Sequence, residues 1–97
     1  MAYELPGAAI GATGVEELRT VGALVLRVRD NTSLVVVNTH PGAASAVALA
    51  LDQARLPELL GSIAGDDTVF VAPAPGAGAA RLRQRLETFF FKRETRE

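Results

Sequence analysis

Between Ala23 and Arg29 the string ALVLRVR alternates apolar and charged side chains. A period of two belongs to a strand with one wet face. DNTS at 30–33 is turn chemistry, and LVVVNT at 34–39 is a second strand with a more continuous apolar run. Together they predict a β-hairpin. The period then changes. Pro41 suits a first helical position, and the Ala- and Leu-rich run that follows HPG to Ala54 is strong helix material. Almost every position from Ala43 to Leu51 is apolar, so this helix should be covered on more than its sheet-facing side, by another subunit or another domain. RLPELL reads as a connection, with Pro57 as the helix breaker.

SIA at 62–64 and TVFVA at 68–72 predict two short strands around GDD, and PAPGAG at 73–78 a loop. A last helix from Ala79 places Leu82, Leu86, Phe89 and Phe90 on one face at i, i+4, i+7 and i+8. The order ββαββα predicts an α+β fold of two layers, one sheet with its helices on one face. The other sheet face then needs a cover of its own, which points to assembly. Ahead of the hairpin, MAYELPGAAIGATG is Gly- and Ala-rich and reads as an extended piece and a linker. Thr13 and Glu16 have capping-box spacing, enough to start a brief helix over VEELR.

Composition narrows the class. Ninety-seven residues make one domain with a single core. With 48% hydrophobic and 22% charged residues the chain is globular rather than disordered. Ten basic against eleven acidic residues leave about −1, without the basic excess of a nucleic-acid-binding domain. No cysteine is present, which removes disulfides, thiolate metal sites and cysteine nucleophiles. The absence of a secretory leader or long apolar run predicts a soluble, cytoplasmic protein.

Three acids sit where folding alone does not want them. Asp52 falls near the C-terminal end of the apolar helix, where the macrodipole disfavours negative charge. Its other reading is a solvated residue on the helix's polar edge. Ser45 lies seven residues earlier, on the same helix face. Asp66 and Asp67 would leave a continuous strand on opposite faces, sending one carboxylate into an apolar layer. Either a turn at Gly65 with an Asx-type hydrogen bond rescues both, or a cation meets them. Divalent ions want more oxygen ligands than this pair supplies, so no metal site is expected. No nucleophile accompanies them, and the chain reads as a non-enzyme. A guanidinium, with several N–H donors, is the natural cationic partner. His40 flanks the helix start, and the glycine of HPGAA leaves the N–H groups there open to an anion. PAPGAG lacks the Lys and spacing of a P-loop. Arg81, Arg83 and Arg85 read as a solvated face, and Phe91 falls off the apolar stripe.

Three separated motifs, LVVVNTHPGAA (34–44), the helix ending in Asp52, and GSIAGDDTVFVAP (61–73), together resemble the C-terminal domain of the bacterial arginine repressor family. The last is similar to that family's G-T-I-[AC]-G-D-D-T-[IV] stretch, and the match spans roughly residues 22 to 90. MAYELP resembles the Y-x-L-P stretch that closes the wing of the family's N-terminal winged helix-turn-helix. The resemblance therefore implies that residues 1–20 are the end of a wing strand and a linker, 21–91 an arginine-binding and oligomerisation domain, and 92–97 a charged tail. It implies a DCoH-like fold assembling as trimers and, with arginine, as hexamers of two stacked trimers. It implies L-arginine as corepressor at the trimer–trimer interface, with no other cofactor, for repression of arginine biosynthesis genes. Operator DNA would be bound only through the absent N-terminal domain. By the family's pattern, the ligand-binding residues are Asp66, Asp67, Asp52, Ser45 and Ala44. Asp66 would pair with a guanidinium held largely by the opposing trimer, and Asp52 would hold the α-amino end. The position of Ser45 is often Gln in relatives, and Ser is too short to span the same gap. An oligomerisation module without arginine binding is the competing reading.

Overall fold

The computed structural model describes residues 12–91. MAYELP and the charged tail 92–97 lie outside the described residues. The elements are α1 (Ala12–Val21), a single 3-10 turn (Gly22–Leu24), β1 (Val25–Asp30), β2 (Val35–Thr39), α2 (Ala44–Ala54), β3 (Leu59–Ala64), β4 (Thr68–Pro73) and α3 (Ala79–Phe91). The predicted ββαββα order is present, preceded by a helix. That first helix runs longer than VEELR, and Thr13 lies inside it rather than at its cap.

The sheet has strand order β1-β2-β4-β3, and every neighbouring pair is antiparallel. Alternation does the sorting in β2 and β4, whereas a register shift between Val25 and Arg27 breaks it in β1 and leaves Val25 and Val28 as the buried pair. Val25 and Val28 of β1, Val35, Val37 and Thr39 of β2, and Val69 and Val71 of β4 are buried. They meet Val47, Ala50, Leu51 and Ala54 of α2 and Leu82, Leu86 and Phe90 of α3 in one core. The predicted apolar face of α3 is therefore the face that packs, with Phe89 half-buried beside it. Among the described residues no helix covers the opposite sheet face. Val36, Phe70 and Ile63 stand in one cross-strand row there, with Ile63 76% exposed and Phe70 52%. Leu26 and Leu60 add to the exposed apolar surface. Contiguous apolar surface of this kind marks an interaction face.

Three local expectations are corrected. The cover on the outer side of α2 comes partly from the same chain, because α1 packs along α2 and α3 and sends Leu18 fully into the core. Pro41 is not the first helical residue. The chain makes a turn at Pro41–Gly42, with Gly42 at φ 81°, and α2 begins at Ala44. RLPELL is only in part a connection, since Leu59 already belongs to β3. A left-handed Arg55 (φ 53°, ψ 47°) ends α2 before Pro57 is reached.

Arginines of α3 are also less free than their sequence suggested. Arg83 Nε donates to Asp30 Oδ2 at 2.7 Å and its Nη1 to Glu87 at 2.8 Å. Arg85 pairs with Glu58 at 3.1 Å and lies over the Phe89 ring, which Arg19 of α1 approaches from a second direction. Of the three, Arg81 is exposed and has no ion pair among the described residues. The reason is geometric: β1 ends beside α3, so Asp30 meets a helix it could not be assigned to from sequence spacing.

Candidate functional site

The hairpin β3–β4 pairs Ala64 with Val69 and Ile63 with Phe70. Gly65 N–H continues that ladder to the carbonyl of Thr68 at 2.7 Å, so Asp66 and Asp67 form a two-residue loop. Strand alternation stops there, and both aspartates are exposed. Neither carboxylate enters the apolar layer. The turn achieves this without a left-handed residue, since Gly65, Asp66 and Asp67 are absent from the positive-φ positions. No Asx bond is needed either: the Asp67 carboxylate accepts from the Thr68 hydroxyl at 3.0 Å.

What holds the loop is backbone. The carbonyl of Asp66 accepts from Gly42 N–H at 3.1 Å and from Ala44 N–H at 3.3 Å, and that of Asp67 accepts from Thr39 N–H at 2.9 Å. These bonds cross from the β3–β4 loop to the segment joining β2 to α2. One of them takes up the Ala44 N–H, which the start of α2 would otherwise leave without an intrahelical partner.

The consequence is a shared acidic corner. Ala44 is buried at the beginning of α2, directly against the loop, and Ser45 follows it on the exposed side. Leu49, one helical turn further on, is 56% exposed, and Asp52 is exposed three residues beyond. Spacings of four and three residues put these side chains in one stripe. The latch thus joins Asp66, Asp67, Ala44 and Ser45 closely, with Asp52 about ten ångströms along α2 at 1.5 Å per residue. Among the described residues, no Lys, Arg or His lies within ion-pair distance of Asp52, Asp66 or Asp67, whereas Asp30, Glu58 and Glu87 are all paired. An excess of exposed carboxylates without internal counter-charges suits a cationic ligand. Among the described residues no group of three or more His, Cys, Asp or Glu side chains could hold a metal ion. No helix among them is long and apolar enough to cross a membrane.

Sequence reasoning missed two neighbours of this corner. Asn38 and Thr68 lie on the open sheet face next to the loop, and Asn38 Nδ2 donates to Thr68 Oγ1 at 3.4 Å. Their signal was present only in register, which brings Asn38 opposite Thr68. Leu49 was counted as part of an apolar helix and not recognised as exposed.

Comparison with known proteins identifies the family. The family described as "Arginine repressor, C-terminal domain" matches residues 21–88. Similar relatives are each named "Arginine repressor". One from Anaeromyxobacter sp. (strain Fw109-5) is 54% identical over 84 residues, covering 87% of this chain and 51% of that protein. One from Anaeromyxobacter sp. (strain K) is 50% identical over 84 residues, covering 81% and 52%. One from Desulforudis audaxviator is 55% identical over 62 residues, covering 64% and 41%. The chain spans about half the length of the first two relatives and less of the third.

Proposed function

Because the chain belongs to the arginine repressor family, as that family's C-terminal domain, we propose that it binds L-arginine as corepressor and assembles through its open sheet face. A domain of this kind is not catalytic. Asp66 and Asp67 take the cationic end of the ligand, Asp52 its α-amino group, and Ala44 and Ser45 line the space between. Trimers form first, and arginine joins two of them into a hexamer. A ligand that binds the hexamer better than its parts stabilises it by mass action. In the whole protein, operator DNA is bound by an N-terminal winged-helix domain, in the cytoplasm. The coupling follows if the hexamer presents those domains in one productive arrangement.

The observation that carries the reading is the double hydrogen bond from Gly42 and Ala44 to the carbonyl of Asp66. It brings the loop carboxylates, which have no ion-pair partner among the described residues, to the start of the helix that bears Ser45 and Asp52. Calorimetric titration of the chain with L-arginine tests it. Saturable binding that is sharply weakened in Asp66→Asn is the expected result. Silence at millimolar arginine would remove the ligand from the site. One observation favours the narrower reading of an assembly module alone: the row of Val36, Phe70 and Ile63 calls for a cover whether or not arginine binds. Light scattering with and without arginine separates the two, since only a ligand-joined hexamer grows on adding it.

A further inference from the structure

On the arginine-binding reading, the direction of each loop carboxylate decides how much ordering the ligand must impose. An exposed aspartate in a two-residue loop ordinarily samples several χ1 rotamers. Asp66 has no side-chain hydrogen bond among the described residues, and only its backbone is latched. Asp67 differs. Its Oδ1 accepts from Thr68 Oγ1 at 3.0 Å. The Thr68 oxygen in turn accepts from Asn38 Nδ2 at 3.4 Å. Asn38 Oδ1 then accepts from Arg29 Nη2 at 2.8 Å and from Arg27 Nε at 3.3 Å. Every group in the chain is used in a sense compatible with the next: guanidinium to amide oxygen, amide nitrogen to hydroxyl, hydroxyl to carboxylate. The relay crosses β1, β2 and β4 on the open face, through the register that sets Arg27 against Asn38 and Asn38 against Thr68.

We propose that Thr68 and Asn38 are positioning residues for arginine binding, fixing Asp67 so that its second carboxylate oxygen remains presented to the ligand, with Arg27 and Arg29 anchoring the far end. Two guanidinium groups on one amide oxygen polarise that amide and strengthen what its nitrogen donates. Thr68 uses its single proton on Asp67, so replacing the hydroxyl by a methyl frees the carboxylate without changing the side chain's shape. Freezing one side chain in advance is worth about two- to tenfold in affinity. The two aspartates thereby divide the work. Asp67 is preset by its own subunit, and Asp66 stays free to adjust.

Calorimetry with L-arginine on the full chain tests this, using Thr68→Val, Thr68→Ser, Asn38→Ala, Asp67→Asn and the double variant Asp67→Asn/Thr68→Val. Thr68→Val should weaken binding about two- to tenfold, Asn38→Ala should weaken it less, and Thr68→Ser should restore it. In the Asp67→Asn background, Thr68→Val should add a smaller loss than it does alone. A readout without ligand accompanies these: the Hα–Hβ couplings of Asp67 by NMR should report one rotamer in the wild type and averaging in Thr68→Val. Wild-type affinity in Thr68→Val, an equal loss in both backgrounds, or averaged couplings in the wild type would each overturn the proposal alone. Absence of binding by the wild-type chain would overturn the arginine reading itself, and the proposal with it.

Discussion

Asp66 is fastened to Gly42: the carbonyl of the first accepts the N–H of the second at 3.1 Å, across the gap between the β3–β4 loop and the approach to α2. Gly42 makes this contact at φ 81°, a left-handed conformation that costs an L-residue about 1–2 kcal/mol. A Cβ there would meet nothing within 4 Å, so strain is the whole effect. Gly42→Ala is therefore expected to lower stability by about 1 kcal/mol in urea denaturation. It should also weaken arginine binding, because the latch that seats the acidic loop is the element under strain.

Gly22 presents the opposite case. Its backbone is not left-handed, but a Cβ would come within 2.3 Å of the carbonyl oxygen of Phe90. The neighbour is backbone near the end of α3 and cannot rotate away. Gly22→Ala should cost about 1–3 kcal/mol, the range for overpacking. Thermal denaturation measures it, and loss of amide protection over the last turn of α3 would locate it.

The pair Asp30–Arg83 gives the fold an acid-sensitive tie. The hydrogen bond from Arg83, aided by the N–H of Thr32, holds the Asp30 carboxyl below its ordinary 3.8. A lowered folded-state value means that the contribution is complete above 3.8 and is lost as pH falls through the lowered value. Asp30→Asn should be less stable than the wild type at neutral pH. The difference should shrink below pH 3.8, and denaturant midpoints across pH 2–7 check the sign.

Arg55 closes α2 in the left-handed region, φ 53° and ψ 47°, a position that favours glycine. Relief of that conformation outweighs the extra freedom glycine has when unfolded. Arg55→Gly is expected to stabilise the chain by about 0.5–1 kcal/mol. A raised melting temperature at unchanged arginine affinity would separate this effect from the site.

Ile63 and Phe70 face each other across β3 and β4 on the uncovered side of the sheet. Burying an apolar side chain of this size contributes about 1.5–3 kcal/mol, so a charge here should oppose assembly strongly while leaving the helix-facing core untouched. Ile63→Asp is expected to sediment as a smaller species than the wild type at the same concentration, with an unchanged circular dichroism spectrum.

Much of the fold was legible because its signals are local. The valines of β2 and β4 alternate with a period set by strand geometry, and Leu82, Leu86 and Phe90 repeat with the period of a helix. Those periods depend on covalent geometry and need no knowledge of neighbours. The suspicion attached to Asp66 and Asp67 was also local, since two adjacent acids cannot both avoid the buried face of a continuous strand. The start of α2 was misjudged because Pro41 fits a first turn and a reverse turn equally well. The choice was made by Gly42, whose N–H had a distant acceptor to reach.

The order of strands, the docking of α1 on α2, and the partners of Asp30, Asn38 and Thr68 were decided only in three dimensions. Asp30 and Arg83 are 53 residues apart, and Asn38 and Thr68 are 30 apart; no spacing rule links such positions. Sequence alone determined which faces would be apolar and that the GDD acids would need either a turn or a cation. Tertiary structure supplied the turn, closed it with backbone N–H groups leading into α2, and left the carboxylates without a cationic partner among the described residues. Side-chain periodicity is written into each segment, whereas a hydrogen bond between segments exists only once the sheet has set their register.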